Sequence, residues 1–364
     1  MKPRIFINGK FYSAQMTGVH RVAEELLQAM SLLLADEAPE NAFEPEILLP
    51  ANAHTQPDIA GIKAHLPGIL PWIAWEQLEL PWRARSGVLV NLCNLGPLAD
   101  RGGITMIHDA QVYISPESYS VAFVAWYKLA LPTLGRNAAR ILTVSDYSKK
   151  QLVHFNVAPA DKIHVIHNGV DHVLRSVADS SLMQKLELTP QQFVLALANT
   201  QAHKNISLLF RAFDQLADSN IKLVLLGGAS KADFEALGAA PPANVVFAGR
   251  VTDAQMRALM EQALCFACPS LTEGFGLPPL EAMLLGCPAI IAPCGALPEV
   301  CGEAALQADA HDADPWAGHI RRLGAEPAFR ASRIAPSIER AAQFTWKKGA
   351  QSLLNLIGQV ATPN

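Results

Sequence analysis

Short runs of apolar residues alternate along the chain with longer segments in which apolar positions recur every three or four residues. The short runs predict buried strands, and the longer segments predict amphipathic helices. Near the start, residues 4–8 form a strand-like run, and Val19, Val22, Leu26 and Met30 then follow at helical spacing. Such alternation is typical of parallel βαβ units and predicts an α/β fold.

The alternation forms two series, which are separated by a polar stretch at 171–192. The first series predicts strands at 4–8, 47–49, 88–92, 104–108, 141–145 and 163–167, and the second predicts strands at 193–198, 222–226, 244–247, 265–268 and 289–291. A chain of 364 residues also exceeds the ~250–300 residues at which a single core stops growing. We therefore expect two Rossmann-like, doubly wound parallel-sheet domains.

The nine residues from Glu273 to Glu281 form the most specific motif of the chain, Glu-Gly-Phe-Gly-Leu-Pro-Pro-Leu-Glu. Gly274 and Gly276 allow close backbone approach, and the two prolines fix φ in the first helical turn. A helix N-terminus at this place favours a phosphate group. The flanking carboxylates would repel phosphate, so they are better placed to accept hydrogen bonds from hydroxyls on either side of it. A nucleotide sugar has this layout, whereas the plainer interpretation is a capped helix with surface acids.

Composition narrows the class of protein further. The formal net charge is −4, which argues against a nucleic-acid binder. The N-terminal residues lack the apolar core of a signal peptide, so we expect a cytoplasmic protein, with peripheral membrane attachment left open. Cys265 and Cys268 have metal-like spacing, but no second pair of Cys or His completes a zinc set. We therefore expect free thiols and no metal.

Three loops that follow predicted strands carry candidate chemistry. Lys204 opens a helix, where its ammonium would neutralise a diphosphate or simply be solvated. His108 ends a strand, where it would donate a hydrogen bond to a sugar hydroxyl, present its carbonyl to developing positive charge, or form a hydrogen bond with the backbone. Gly18 begins a helix, either for close approach to a phosphate or acceptor, or as an ordinary turn.

Trp72, Trp75 and Trp82 lie close together in sequence. Such side chains stack on sugar rings, enter a lipid interface, or pack beneath a loop. Packing is the expected role for two of them, and the third is left open.

With these residues placed, the chain resembles the retaining nucleotide-sugar glycosyltransferases of glycosyltransferase family 4 over nearly its whole length. The matching strings include Gly18-Val-His-Arg21, Trp75-Glu-Gln, Ile107-His-Asp109, His203-Lys-Asn205 and the Glu273–Glu281 motif, with seven residues between its two glutamates. The resemblance implies a GT-B architecture, in which two Rossmann-like domains face a central cleft. It also implies an acceptor-side domain at 1–175, a nucleotide-sugar domain at 185–343, and a C-terminal helix at 344–364 that packs back on the first domain.

The resemblance implies a role for each matching residue. The implied catalytic residues are His108, Lys204 and Glu273. The implied donor-binding residues are Gly18, Asn199, Lys204, Asn205, Gly249, Val251, Glu273, Gly274, Phe275, Gly276, Leu277 and Glu281. The implied acceptor contacts are Arg21, Trp75 and Asp109. Among these, Glu273 would bind the hydroxyls of the donor sugar, and Glu281 would bind the ribose. Lys204 would bind the diphosphate, and His108 would lie beside the C6 end of the sugar.

Two positions depart from the family pattern. His203 and Asn199-Thr200 stand where many members have an arginine, so one phosphate-binding charge is missing and more depends on Lys204. Ala296 replaces the serine that often precedes Leu-Pro-Glu-Val. We expect the second change to alter one diphosphate hydrogen bond at most.

The resulting expectation is a retaining hexosyl transfer, with mannose from GDP-mannose as the leading donor. The acceptor would be a hydroxyl of a glycan or lipid-linked saccharide in polysaccharide or lipopolysaccharide synthesis. The nucleotide sugar is a substrate, so no cofactor is expected. The alternatives are a GT-B sugar-nucleotide epimerase and a non-catalytic GT-B binding protein.

Overall fold

The computed structural model describes residues 4–36 and 43–361, which form two compact units. The first unit comprises the chain up to Gly169 and again from Thr345 onwards, and the second comprises Val170–Phe344. Residues 170–175, which were assigned to the first domain on sequence, thus lie in the second unit. Parts of the predicted segments 1–175 and 344–364 fall outside the described residues, namely 1–3, 37–42 and 362–364.

The first unit contains a seven-stranded sheet in the order β3-β2-β1-β4-β5-β6-β7, with every neighbouring pair parallel. Its strands are β1 (Arg4–Asn8), β2 (Glu44–Leu48), β3 (Lys63–Ala64), β4 (Val88–Asn91), β5 (Ile104–Met106), β6 (Arg140–Thr143) and β7 (Ile163–Val165). Its helices are α1 (Gly18–Asp36), α2 (Trp72–Ala74), α3 (Leu80–Arg83), α4 (Gln111–Ile114), α5 (Val121–Asn137) and α6 (Asp146–His154). A π-helical turn, Trp75–Glu79, joins α2 to α3, and 3₁₀ turns lie at Gly9–Ser13 and Pro116–Ser118.

The second unit contains a six-stranded parallel sheet in the order β10-β9-β8-β11-β12-β13. Its strands are β8 (Phe193–Leu197), β9 (Lys222–Leu226), β10 (Val245–Gly249), β11 (Cys265–Cys268), β12 (Ala289–Ile291) and β13 (Leu306–Gln307). Its helices are α7 (Ser181–Lys185), α8 (Ile206–Asp214), α9 (Lys231–Ala236), α10 (Asp253–Gln262), α11 (Leu277–Leu284), α12 (Leu297–Cys301), α13 (Asp314–Ala325) and α14 (Pro327–Ala341). Three 3₁₀ turns lie at Asp171–Leu174, Ala202–Lys204 and Gly302–Ala304.

The last helix, α15 (Trp346–Ala361), belongs to the first unit and packs along α1. Gly349 makes this close approach feasible, because a Cβ there would lie 3.1 Å from a Leu26 methyl and 3.2 Å from the His167 carbonyl oxygen. Within the described ranges no helix is both long and apolar enough to cross a membrane.

The prediction of two Rossmann-like parallel sheets is confirmed by these strand orders. The two-residue edge strands β3 and β13 were not predicted, because two residues carry no periodic signal. The start of β2 was also missed, since Glu44, Pro45 and Glu46 are a polar, proline-containing sequence that does not suggest a strand.

Candidate functional site

The second sheet has a topological switch point between β8 and β11, from which the strand order runs outward in both directions. In such sheets ligands bind beyond the carboxyl ends of the two strands at the switch. The loops that follow β8 and β11 meet there, where the Leu271 amide donates a hydrogen bond of 2.8 Å to the His203 carbonyl. Lys204 lies on the first loop and Glu273 on the second, so the fold brings these two predicted residues together.

The Lys204 ammonium donates to both carboxylate oxygens of Glu273, at 2.9 and 3.0 Å. The two side chains are 23% and 18% exposed, so the pair remains open to a ligand. The Ser270 hydroxyl also donates to Glu273, at 2.7 Å. Burial by itself would raise the pKa of Glu273, but the Lys204 charge and the Ser270 hydrogen bond outweigh burial and hold that pKa below its usual value. Glu273 is therefore ionised at neutral pH.

Asn205 fixes the loop that carries Lys204. It adopts a left-handed backbone conformation with φ of 56°. Its side-chain amide donates to the carbonyls of Pro269, at 3.1 Å, and Ala310, at 2.7 Å. Both amide hydrogens are therefore used within the protein, and the contacts of this predicted donor-binding residue are those of a structural support. The Asn199 side chain likewise stabilises a turn in its own loop, because its Oδ1 accepts a hydrogen bond of 2.8 Å from the Gln201 amide.

The backbone of Glu273 is held by the loop that follows β12. Gly295 adopts φ of +63°, and a Cβ there would collide with the amide nitrogen and carbonyl oxygen of Glu273. The buried Ala296 donates its amide to the Glu273 carbonyl at 2.9 Å. Ser270 and Gly295 had no assigned role on sequence, because their importance depends on this contact across the fold.

The motif helix α11 begins after Gly276, whose φ of 102° lies in the left-handed region. Pro278 and Pro279 occupy the first turn, as predicted, but a proline has no amide hydrogen. Among residues 277–279 at the start of the helix, only Leu277 therefore has an amide hydrogen. The Phe275 side chain is buried and packs edge-on against Phe344, with ring centroids 5.8 Å apart.

Glu281 lies further along α11 and faces the 3₁₀ turn Asp171–Leu174. His172 Nε2 is 3.2 Å from Glu281 Oε1. Sequence reasoning did not assign His172 a role.

The segment Gly249–Val251 ends β10, where Gly249 has φ of +73° and open space at its missing Cβ. Its carbonyl accepts from the Gly227 amide at 2.9 Å. A pocket of about 480 Å³ lies by the ends of β8 and β9 and is lined by Ala198, Asn199, Thr200, Ala229, Asp233, Ala236 and Leu237. Asn199 borders this pocket, whereas Lys204 and Glu273 are not among its lining residues.

In the first unit, His108 is buried and bonded to backbone. Its Nε2 lies 2.8 Å from the Leu92 carbonyl, and its amide donates to Asn94 Oδ1 at 2.8 Å. Burial lowers the pKa of His108 to about 4, so the ring is neutral near pH 7. Because a carbonyl only accepts, Nε2 carries the proton and Nδ1 is an acceptor. The predicted donation to a sugar hydroxyl is therefore corrected: Nδ1 can only accept from one.

The predicted acceptor contacts differ in their surroundings. Asp109 accepts a 2.9 Å hydrogen bond from the Gln111 amide at the start of α4, and Arg21 lies in the first turns of α1. Gly18 begins α1 with open space where a Cβ would stand. The predicted acceptor contact of Trp75 is wrong, because its ring is fully buried and cannot stack on a sugar. The ring packs against Phe6, Leu48, Leu80, Ala84 and Leu89.

Trp72 and Trp82 are exposed, and only Trp75 of the three packs in the core. The prediction that two of these tryptophans have a packing role is therefore wrong for one of them. Directly after Trp75, the buried Glu76 accepts from Lys10 Nζ at 2.6 Å and from Asn8 Nδ2 at 3.1 Å. Asn8 also donates to Asn91 at 2.9 Å. This polar cluster lies at the switch between β1 and β4 and was not predicted.

The sequence of the chain matches known protein families and individual proteins. Residues 94–174 match the family model described as Glycosyltransferase Family 4, and residues 179–339 match Glycosyl transferases group 1. The chain is 30% identical over 263 residues to O-antigen chain mannosyltransferase B of Escherichia coli, covering 69% of each protein.

Solved structures show the same fold. Sucrose-phosphate synthase from Thermosynechococcus elongatus superimposes with a TM-score of 0.75 at 19% identity, covering 99% of each chain. Anabaena HepE, solved in complex with UDP and glucose, superimposes with a TM-score of 0.72 at 17% identity, covering 98% of this chain and all of that one.

Proposed function

The chain belongs to glycosyltransferase family 4 and is of the GT-B type, and from this premise we propose that it transfers mannose from GDP-mannose with retention of anomeric configuration. The proposed acceptor is a hydroxyl of a glycan or lipid-linked saccharide in cell-surface polysaccharide synthesis. The name of the E. coli relative, an O-antigen chain mannosyltransferase, supports both the sugar and the type of acceptor.

One observation carries the proposal: the Lys204 ammonium and the ionised Glu273 carboxylate meet at the switch point, directly before the start of α11. A cation, a glycine loop and a helix N-terminus can accept a diphosphate. A carboxylate beside them can accept hydrogen bonds from sugar hydroxyls. An arriving diphosphate would draw the ammonium away from Glu273, whose oxygens then become available to the sugar.

In the proposed reaction the bond between the anomeric carbon and the phosphate oxygen breaks toward an oxocarbenium-like state. Lys204 and the α11 N-terminus stabilise the negative charge that develops on the leaving diphosphate. The acceptor oxygen attacks from the same face, and the leaving phosphate oxygen takes its proton. The proposal requires no metal ion and no covalent enzyme intermediate.

The role proposed for His108 is limited by its tautomer. Nδ1 can accept a hydrogen bond from the C6 hydroxyl of the sugar, and the neutral ring adds no positive charge beside an oxocarbenium ion. Glu281, with His172 at 3.2 Å, is proposed to hold the ribose hydroxyls.

Ligand-induced shifts in melting temperature test the donor. GDP-mannose, UDP-glucose and ADP-glucose should be compared on the purified chain, because a ligand that binds the folded state raises its stability. We expect the largest rise with GDP-mannose. If no nucleotide sugar raises the melting temperature, the proposed donor site is wrong. With a donor identified, proton NMR of the product distinguishes retention from inversion, and free sugar formed without an acceptor would indicate an epimerase instead.

A further inference from the structure

Exposed apolar side chains are concentrated in one segment of the first unit, residues 66–82. Six large side chains there are between 51% and 89% exposed: Leu66, Ile69, Trp72, Ile73, Leu78 and Trp82. They are six of the sixteen large apolar side chains found exposed among the described residues. Scattered exposed apolar residues are ordinary, but a concentration with two tryptophans marks an interaction surface. We call this segment the apolar surface.

Hydrogen bonds hold the loop of the apolar surface against its helix. Glu79 accepts from the amides of Ile69 and Leu70, both at 3.0 Å. Arg83 donates to the Leu66 carbonyl at 3.2 Å. These bonds place the exposed loop side chains beside the π-helical turn, which carries Leu78, and beside α3, which carries Trp82. The apolar groups are therefore displayed by a fixed backbone.

The entry to the helix is also fixed. Trp72 has φ of +53°, a conformation that costs a non-glycine residue free energy. Its amide is bonded to Asn52 Oδ1 at 3.1 Å. Trp75, three residues later, is fully buried in the core, whereas Trp72 is exposed. The two tryptophans therefore have opposite environments.

The charges of the segment favour an anionic partner. Its two carboxylates are both neutralised, Glu76 by Lys10 at 2.6 Å and Glu79 by Arg83 at 3.5 Å. Arg85, just beyond the segment, is exposed and lies over the Trp82 ring at 4.5 Å. The segment thus combines exposed apolar groups and indoles with an adjacent arginine, and neither of its carboxylates is exposed. This combination fits the boundary between the acyl chains and the anionic headgroups of a membrane.

We propose that the apolar surface docks on an anionic lipid membrane. Leu66, Ile69 and Leu78 enter the acyl boundary, the indoles of Trp72 and Trp82 lie at headgroup depth, and Arg85 contacts lipid phosphate. This surface lies in the first unit, shares no residue with the proposed donor site, and does not require a particular donor sugar.

Vesicle flotation tests the proposal. The purified chain should float with vesicles of phosphatidylcholine and phosphatidylglycerol, and less with phosphatidylcholine alone or in high salt. A variant with Trp72→Ser and Trp82→Ser should bind the anionic vesicles about tenfold more weakly, because two indoles no longer leave water. Arg85→Glu, which removes no apolar contact, should weaken binding to the anionic vesicles only.

The matched control carries Leu32→Ser and Val177→Ser, which replace two apolar residues outside the apolar surface that are more exposed than the two tryptophans. It should float like the wild type. The proposal is overturned if the wild type stays in the aqueous fraction, or if the tryptophan variant floats as well as the control. A concentration-dependent dimer that the tryptophan variant loses, with no flotation, would assign the surface to a second copy of the chain instead.

Nucleotide-sugar binding separates this proposal from the proposed function. The tryptophan and Arg85 variants should keep the wild-type rise in melting temperature with the donor, which also shows that they are folded. Flotation without donor binding would reject the proposed function alone. Donor binding without flotation would reject the lipid surface alone.

Discussion

Lys204 and Glu273 neutralise each other through two hydrogen bonds of 2.9 and 3.0 Å, although they lie 69 positions apart in sequence. The two groups proposed to bind adjacent parts of the donor, its diphosphate and its sugar, are therefore direct partners. Their pairing keeps the carboxylate charged and places the ammonium at the switch point of the sheet. Removing the Lys204 charge therefore takes away one of the interactions that lower the pKa of Glu273 and two of the hydrogen bonds that orient its carboxylate.

Replacing Lys204 by methionine should therefore lower kcat/KM by about 100-fold or more, since it removes the charge that stabilises the leaving diphosphate. Steady-state kinetics with the donor that raises the melting temperature measure this effect. Lys231→Met is the control, because Lys231 is an exposed residue paired only at 3.7 Å with Glu235. Equal activity of the two variants would rule out the role assigned to Lys204.

A methyl group at Gly295 should displace Glu273. Gly295→Ala combines a positive φ with a collision against the Glu273 backbone, whereas Gly238→Ala has a similar φ of +76° and open space around it. The control should lose about 1–2 kcal/mol of unfolding free energy from backbone strain alone. Gly295→Ala should lose more and should also lose donor binding. Denaturant unfolding and melting-temperature shifts measure both, and identical behaviour of the two variants would contradict this account.

The buried His108 should make stability depend on pH. Its folded-state pKa of about 4 lies below the unfolded value of ~6.5, so between these values the unfolded chain binds more protons. The contribution of His108 is fully present above the unfolded pKa and falls as pH drops toward 4. Unfolding free energy should decrease by about 2 kcal/mol more between pH 7.5 and pH 5 in the wild type than in His108→Gln. Parallel pH profiles for the two proteins would show that His108 does not titrate this way.

His172 should affect nucleotide binding through Glu281. Removing the imidazole in His172→Ala leaves the carboxylate less fixed, so affinity for GDP should fall about fivefold. If Glu281 holds the ribose hydroxyls, the same substitution should barely change affinity for the dideoxy form of GDP. Calorimetric titration with both nucleotides distinguishes this from general damage, which would weaken both equally. His319→Ala, which removes a half-buried imidazole bonded to the Gln307 carbonyl, is the control.

Local patterns predicted much of the fold, because strands and helix starts are encoded over a few residues. Strands 222–226, 265–268 and 289–291 were predicted with the bounds that the structure has. The start of α11 was predicted from its glycines and prolines. The resemblance singled out Lys204 and Glu273, but not the ion pair between them.

The residues that sequence reasoning missed act through contacts that no local pattern encodes. Ser270 and Gly295 matter because they fix Glu273, and His172 matters because the chain folds it against α11. The tryptophans were misjudged for a different reason. The π-helical turn Trp75–Glu79 interrupts the period of 3.6 residues, so α-helical spacing no longer predicts which side chains face inward.

The pairing of α15 with α1 sets the order in which this protein can mature on the ribosome. The second unit is a continuous stretch of chain, so all of its strands and helices are available once Phe344 has emerged. The first unit is interrupted, and the α1 surface that α15 covers stays bare until residues 346–361 have been translated. The half that begins synthesis first is thus the last to finish folding, and a nascent chain stalled after Phe344 would present that uncovered helix to chaperones and proteases.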